Sequence, residues 1–182
     1  MGGDAIKRKM TLTEFYKYAE EQEGRWEFIN GVPVALASPS SIHQDISMEL
    51  SGILYSFFKG KRCTPRATCD VKLFNNRDDI RIPDLLVFCD KNMDDGKKLN
   101  GAPTLTIEIW SPSNRSWEQD RKRSEYKEAG VGEIWEVNPD TKSVRVWNLN
   151  MKGDYTERDF LFGSDMPSEV FKGLVFNLED FI

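Results

Sequence analysis

Asp84 and Glu108 each interrupt an apolar run, Ile82-Pro-Asp-Leu-Leu-Val-Phe88 and Leu105-Thr-Ile-Glu-Ile-Trp110. Both runs read as strands, and a turn-rich segment separates them. If they form a hairpin centred on that segment, paired positions share a constant sum. That sum is 192 for Asp84 with Glu108 and for Phe88 with Thr104. The two carboxylates then face each other across about 5 Å. Like charges inside an apolar sheet repel, and each is costly to desolvate. A divalent cation relieves both penalties, and Mg²⁺ takes a few carboxylate oxygens plus water. The competing arrangement has one of the pair facing solvent or bonded to Arg81 or Lys72.

A cation follows on the next helix. Glu118, Lys122, Tyr126 and Gly130 are spaced by four and share one helical face. Lys122 either pairs with Glu118 on that face or reaches over the sheet end toward Glu108. Arg115, Arg121, Arg123 and Lys127 surround it. Taken alone, the stretch reads as a solvated helix laced with i,i+4 pairs.

The elements that must position these groups follow from capping, turn and periodicity signals. Thr11-Leu-Thr-Glu14 is a capping box that opens a helix to about Gln22. Asn30-Gly31 between apolar runs marks a hairpin, and Pro33 puts its second strand at an edge. Ser38, Ser40 and Ser41 offer caps for a helix whose apolar residues, Ile42 to Phe58, recur every three or four positions. Strands are expected over 68–74, 83–89 and 103–110, a helix over 117–129, and strands over 132–138, 143–149 and 155–162. The order is α+β, with one central sheet and helices on its faces. Residues 1–10 are expected to be flexible and 11–182 to form a single domain.

Composition narrows the class. At 39% hydrophobic and 30% charged residues, the chain is neither disordered nor membrane-spanning. The N-terminus lacks the apolar stretch of a signal peptide, so a cytoplasmic location is expected. Cys63, Cys69 and Cys89 contain no C-x-x-C pair and are expected as reduced thiols, and zinc is poorly supported with a single histidine, His43. The net charge of −5 excludes broad, nonspecific coating of nucleic acid. Positive charge is local instead: Lys59, Lys61, Arg62, Arg66 and Lys72 stand against Asp70 alone.

At this point the residues resemble a known group, the PD-(D/E)xK nuclease superfamily. Its restriction-endonuclease-like core is a helix, three antiparallel strands, a helix and a strand. An N-terminal helix-hairpin and C-terminal strands are the additions here. Within it the chain is similar to the bacterial restriction-endonuclease family of the Uma-two type. The matching stretches are Arg25-Trp-Glu-Phe-Ile-Asn-Gly31, Ser38-Pro39 with His43-Gln44, Ile82-Pro-Asp-Leu-Leu-Val87 and Ala102-Pro-Thr-Leu-Thr-Ile-Glu-Ile-Trp-Ser-Pro-Ser113. They continue with Lys122-x-x-x-Tyr126, Ala129-Gly-Val-Gly-Glu-Ile-Trp135 and Asn138-Pro139. Each motif is weak, and the ordered set, from Thr11 to Ile182, is specific.

The resemblance implies a Mg²⁺- or Mn²⁺-dependent endonuclease acting on DNA, with Asp84 and Glu108 as metal ligands and Glu27 as an outer one. The superfamily places a lysine two residues after the acid, where this chain has Trp110, so the lysine is expected from the following helix as Lys122. Lys122 would orient or deprotonate a water, or offset charge on the phosphorane. His43 would contact a phosphate or bond nearby backbone, Tyr126 would buttress Lys122, and Glu118 stands where relatives carry Asp. A homodimer is expected because both DNA strands are cut. The alternative is a non-catalytic or regulatory nucleic-acid-associated module that keeps the fold. No nucleotide loop or G-x-S-x-G elbow occurs, a two-carboxylate glycosidase finds little support, and Trp110, Trp135 and Trp147 are expected in the core.

Overall fold

The computed structural model describes residues 9–111 and 116–181. Pro112 and Ser113 of the motif at 102–113, Arg115, Ile182 and most of the N-terminal segment expected to be flexible therefore lie outside the described residues. The described residues form three helices, α1 (Leu12–Glu21), α2 (Ser41–Phe58) and α3 (Ser116–Ala129). The strands are β1 (Trp26–Ile29), β2 (Val32–Ala35), β3 (Thr64–Ala67), β4 (Val71–Lys72), β5 (Leu85–Phe88) and β6 (Leu99–Asn100). Six more follow, namely β7 (Leu105–Ile109), β8 (Glu133–Asn138), β9 (Ser143–Leu149), β10 (Tyr155–Leu161), β11 (Met166–Pro167) and β12 (Val175–Phe176).

The central sheet has the order β10-β9-β8-β7-β5-β3. β5 and β7 pair antiparallel with Leu85 opposite Ile107 and Val87 opposite Leu105, the register expected from the sequence. β8 then pairs parallel to β7 after the α3 crossover. Side chains of a strand alternate between faces, so Leu105, Ile107 and Ile109 pack with Ile46, Leu50, Leu54 and Phe58 of α2. Thr106 and Glu108 take the opposite face, where Tyr126 of α3 packs with Leu86, Phe88 and Ile134.

Local signals act as expected at the N-terminal additions. The Thr11 side chain accepts from the Glu14 N–H and the Glu14 carboxylate accepts from the Thr11 N–H, a complete capping box. Asn30 and Gly31 both have positive φ (52° and 81°), as a two-residue turn of this hand requires. Hydrogen bonds between Phe28 and Ile80 tie the β1-β2 hairpin to the segment leading into β5.

Two expectations are corrected. The strand expected over 68–74 is not the third member of the antiparallel core; β3, at 64–67, is. Thr68 turns the chain with φ 46°, and only Val71–Lys72 is extended beyond it, pairing parallel with β6. Pro65 is tolerated because β3 is the edge strand of the sheet. The expectation of three reduced thiols also fails, because Cys63 and Cys89 form a disulfide. Thr64 pairs with Phe88, so the adjoining positions 63 and 89 are brought together at the sheet edge. Cys69 is the free cysteine. No described helix is long and apolar enough to cross a membrane.

Candidate active site

The β5-β7 register delivers the two carboxylates to one end of the sheet. Asp84 lies just before β5, and its Oδ2 accepts the Ile109 N–H at 2.8 Å. Its Oδ1 lies 3.1 Å from His43 Nε2. His43 occupies the first turn of α2, where its own N–H is capped by Ser40 Oγ at 3.3 Å. Its ring thus turns to Asp84 and not to nearby backbone, and its Nδ1 is buried without a hydrogen-bond partner among the described residues.

Glu108 is 3% exposed. Lys122 Nζ donates to both of its oxygens at 3.2 Å, and the Tyr126 hydroxyl donates to its Oε1. Of the two partners the sequence offered Lys122, the structure shows the one across the sheet end. Lys122 also stands 3.1 Å from Glu27 Oε1. Burial drives the Glu108 acid up to about 7, against the pull of Lys122 and with the help of the neighbouring Asp84 and Glu27 charges. Burial works the other way on the Lys122 ammonium, but Glu108 and Glu27 outweigh it and hold the lysine above its ordinary range. Burial and the Glu108 charge likewise raise the Tyr126 phenol.

Glu27 is placed differently from Asp84 and Glu108. Its Oε2 accepts from Arg81 Nη1 at 2.7 Å and its Oε1 from the Ile82 N–H at 3.1 Å. Arg81, 3% exposed, forks onto Glu125 of α3 with Nε at 2.6 Å and Nη2 at 2.7 Å. Glu27 thus ties β1 to α3 and steadies Lys122 from behind. Glu118 faces a neighbouring hollow shared with Trp117, Arg121 and Lys122.

A small cleft opens over the site, lined by Arg25, His43, Asp84, Glu108, Trp110 and Lys122, among others. Among the described residues no three His, Cys, Asp or Glu side chains form a ready-made cation cage. The donor set still suits a hard divalent ion, since Mg²⁺ commonly takes one or two carboxylates and keeps its waters. Glu108 is held meanwhile by Lys122 and Tyr126, which donate to its oxygens.

Comparison with known proteins decides the family. Residues 12–179 match the family Uma2, described as "Putative restriction endonuclease". The chain belongs to that family. It is similar to the crystal structure of "a putative nuclease belonging to DUF820" from Anabaena variabilis, with a TM-score of 0.76 and 23% identity. That match covers 94% of this chain and 97% of the other. The architecture is thus α+β of the restriction-endonuclease-like kind. An uncharacterized protein of Synechocystis sp. is 26% identical over 115 residues, 63% of this chain and 60% of that protein's length.

Asp84, Glu108, Lys122, Tyr126 and His43, singled out in the sequence, are brought together at one end of the sheet. Arg81, considered there as a partner of Asp84 or Glu108, instead bonds Glu27, 54 residues away, and Glu125, 44 residues away and not singled out in the sequence. Nor was Arg25 singled out, an exposed cation on the cleft wall that opens the Arg25-Trp-Glu motif. Trp135 and Trp110 are buried as expected, at 0% and 6% exposed, whereas Trp147 is only half-buried, beneath Lys127 at 3.2 Å. Part of the local positive charge is paired, Arg66 with Asp94 and Lys72 with Asp78, as are Arg121 with Glu125 and Arg123 with Glu136 on α3.

Proposed function

We propose that the chain is a Mg²⁺- or Mn²⁺-dependent endonuclease that hydrolyses phosphodiester bonds in DNA. One observation carries the reading: a buried Glu108, raised by its surroundings, lies beside Asp84 and under the ammonium of Lys122, in a cleft walled by Arg25 and His43. Membership of a restriction-endonuclease family supports it.

Asp84 and Glu108 would hold the cation. When bound, it polarises the scissile phosphate and lowers the pKa of a water. The protein's own groups do the rest. Lys122 is charged and fixed by two carboxylates, so it acts as an electrostatic clamp for charge growing on the phosphate rather than as a base. Glu27 and Tyr126 hold Lys122 and Glu108 in place from behind, as positioning residues. Arg25 meets the DNA backbone at the cleft wall. His43 orients Asp84 through Oδ1, while the Ile109 N–H fixes Oδ2.

Cleavage of supercoiled plasmid by wild type and Asp84→Asn, each with Mg²⁺, Mn²⁺ or EDTA, tests this. The variant keeps an acceptor for the Ile109 N–H, so it should fold normally and cut nothing. Cleavage that survives in the variant, or no cleavage with either metal on any DNA, rejects the proposal. A second reading, a non-catalytic nucleic-acid-associated module, is favoured by Trp110 standing where the superfamily has its lysine. Calorimetry that finds no Mn²⁺ binding dependent on Asp84 would support that module.

A further inference from the structure

Helix α2 buries one face completely and leaves the other without a partner among the described residues. Ile46, Leu50, Leu54 and Phe58 are all below 5% exposed and pack on the sheet. Asp45, Met48, Gly52, Tyr55 and Lys59, spaced alternately by three and four, form a single outward stripe. Met48 is 75% exposed and Tyr55 64%, an unusual outlay of apolar surface on one helix. Gly52, between them, has nothing within 4 Å of where a Cβ would stand. Glycine in a helix interior costs about 0.5–1 kcal/mol relative to alanine, so its place at the centre of an exposed stripe favours close approach by another backbone.

The charges along α2 identify the partner. The N-terminal half carries Asp45 and Glu49, and the C-terminal end carries Lys59, Lys61 and Arg62. Asp45, Glu49 and Lys59 make no ion pair with any described residue. An antiparallel copy of the same helix supplies the complement. With a two-fold axis through Gly52, positions summing to 104 face each other, so Asp45 meets Lys59 of the partner subunit and Glu49 meets Tyr55 of the partner subunit. Beside Gly52 lies a shallow groove lined by Glu49, Ile53, Phe57, Leu174 and Val175. It receives the tyrosine ring, and Val175, 43% exposed, extends the apolar contact. Antiparallel helix dipoles add attraction, whereas a parallel pair sets like charges together.

We propose that the chain forms a homodimer through this face of α2, an isologous interface with its axis at Gly52. The proposal does not depend on the chemistry of the cleft.

Sedimentation of the full chain at high micromolar concentration should show a dimer. Asp45→Lys should raise the dissociation constant about tenfold or more, and the double variant Asp45→Lys with Lys59→Asp should restore it. Every substituted position is exposed, and thermal melts confirm that the fold is kept. Gly52→Cys should cross-link into a covalent dimer under mild oxidation, because residue 52 faces itself, while Lys152→Cys, on the distant β9-β10 turn, should not. A monomeric wild type, a dimer indifferent to Asp45→Lys and Tyr55→Asp, or a charge swap without rescue overturns the proposal.

Discussion

Lys122 Nζ lies 3.2 Å from both oxygens of Glu108, although the two residues come from different layers of the fold, α3 and β7. The superfamily pattern that the sequence resembles puts the lysine two residues after the acid, on the same strand. Here Trp110 holds that position and, 6% exposed, is packed into the cleft wall. Lys122, from the helix layer above the sheet, puts an ammonium beside Glu108 instead.

Removing that charge while keeping the stem tests its role. Lys122→Met should lower the cleavage rate about 100-fold or more, the size expected for loss of one electrostatic donor in a water-poor site. Lys122→Arg should not rescue it, because a planar fork does not sit where a compact ammonium bridges Glu108 and Glu27. Single-turnover rates at saturating metal separate this effect from weakened metal binding.

The Glu108 acid predicts a pH dependence with a definite sign. Its folded pKa is raised from 4.5 to about 7, chiefly by burial. Between those values the folded protein keeps a proton that the unfolded chain has lost, so this group's stabilisation fades as pH rises through about 7. Thermal melts in EDTA should therefore show a stability loss over that window that Glu108→Gln abolishes. With saturating Mn²⁺ the trend reverses, because the cation favours the ionised carboxylate, and its stabilising effect should grow as pH rises through 7. A Glu108→Gln profile parallel to wild type in EDTA would refute the assignment.

What was legible in the sequence depended on local chemistry. The capping box, the Asn30-Gly31 turn and the 192 register are short-range rules, and each matches the structure. From the register followed the meeting of Asp84 and Glu108, and from the four-residue spacing of α3 followed that of Lys122 and Tyr126. β3 was not legible, because Thr-Pro-Arg-Ala has weak strand propensity and is recruited by its partner, β5. Neither was the Glu27-Arg81-Glu125 chain, whose members are joined only after the hairpin docks through Phe28 and Ile80.

That buried chain should matter for stability. Arg81→Met keeps much of the volume but leaves Glu27 with Lys122 and one N–H, and Glu125 with Arg121. Breaking a buried ion pair from one side typically costs about 3–5 kcal/mol. Urea unfolding should show a loss of that order, and Arg81→Lys should recover little, since one ammonium cannot fork onto Glu125 while reaching Glu27. A loss below about 1 kcal/mol would mean that the network is solvated.

The Cys63–Cys89 bridge offers a final test of how the sheet edge is held. It closes a loop with a sequence separation of 26, for which the chain-entropy estimate gives about 3–4 kcal/mol. The tie joins the edge strand β3 to β5, immediately after which the chain runs on toward the Lys91–Met93 turn. Asp84 is anchored separately, through Ile109 and His43. Reduction, or the pair Cys63→Ser and Cys89→Ser, should therefore lower the urea midpoint while leaving Asp84-dependent Mn²⁺ binding within about twofold of wild type. Thiol titration of the unfolded, unreduced protein should find Cys69 alone reactive. Equal unfolding midpoints with and without reductant, or three reactive thiols before reduction, would show that the bridge is not formed in solution.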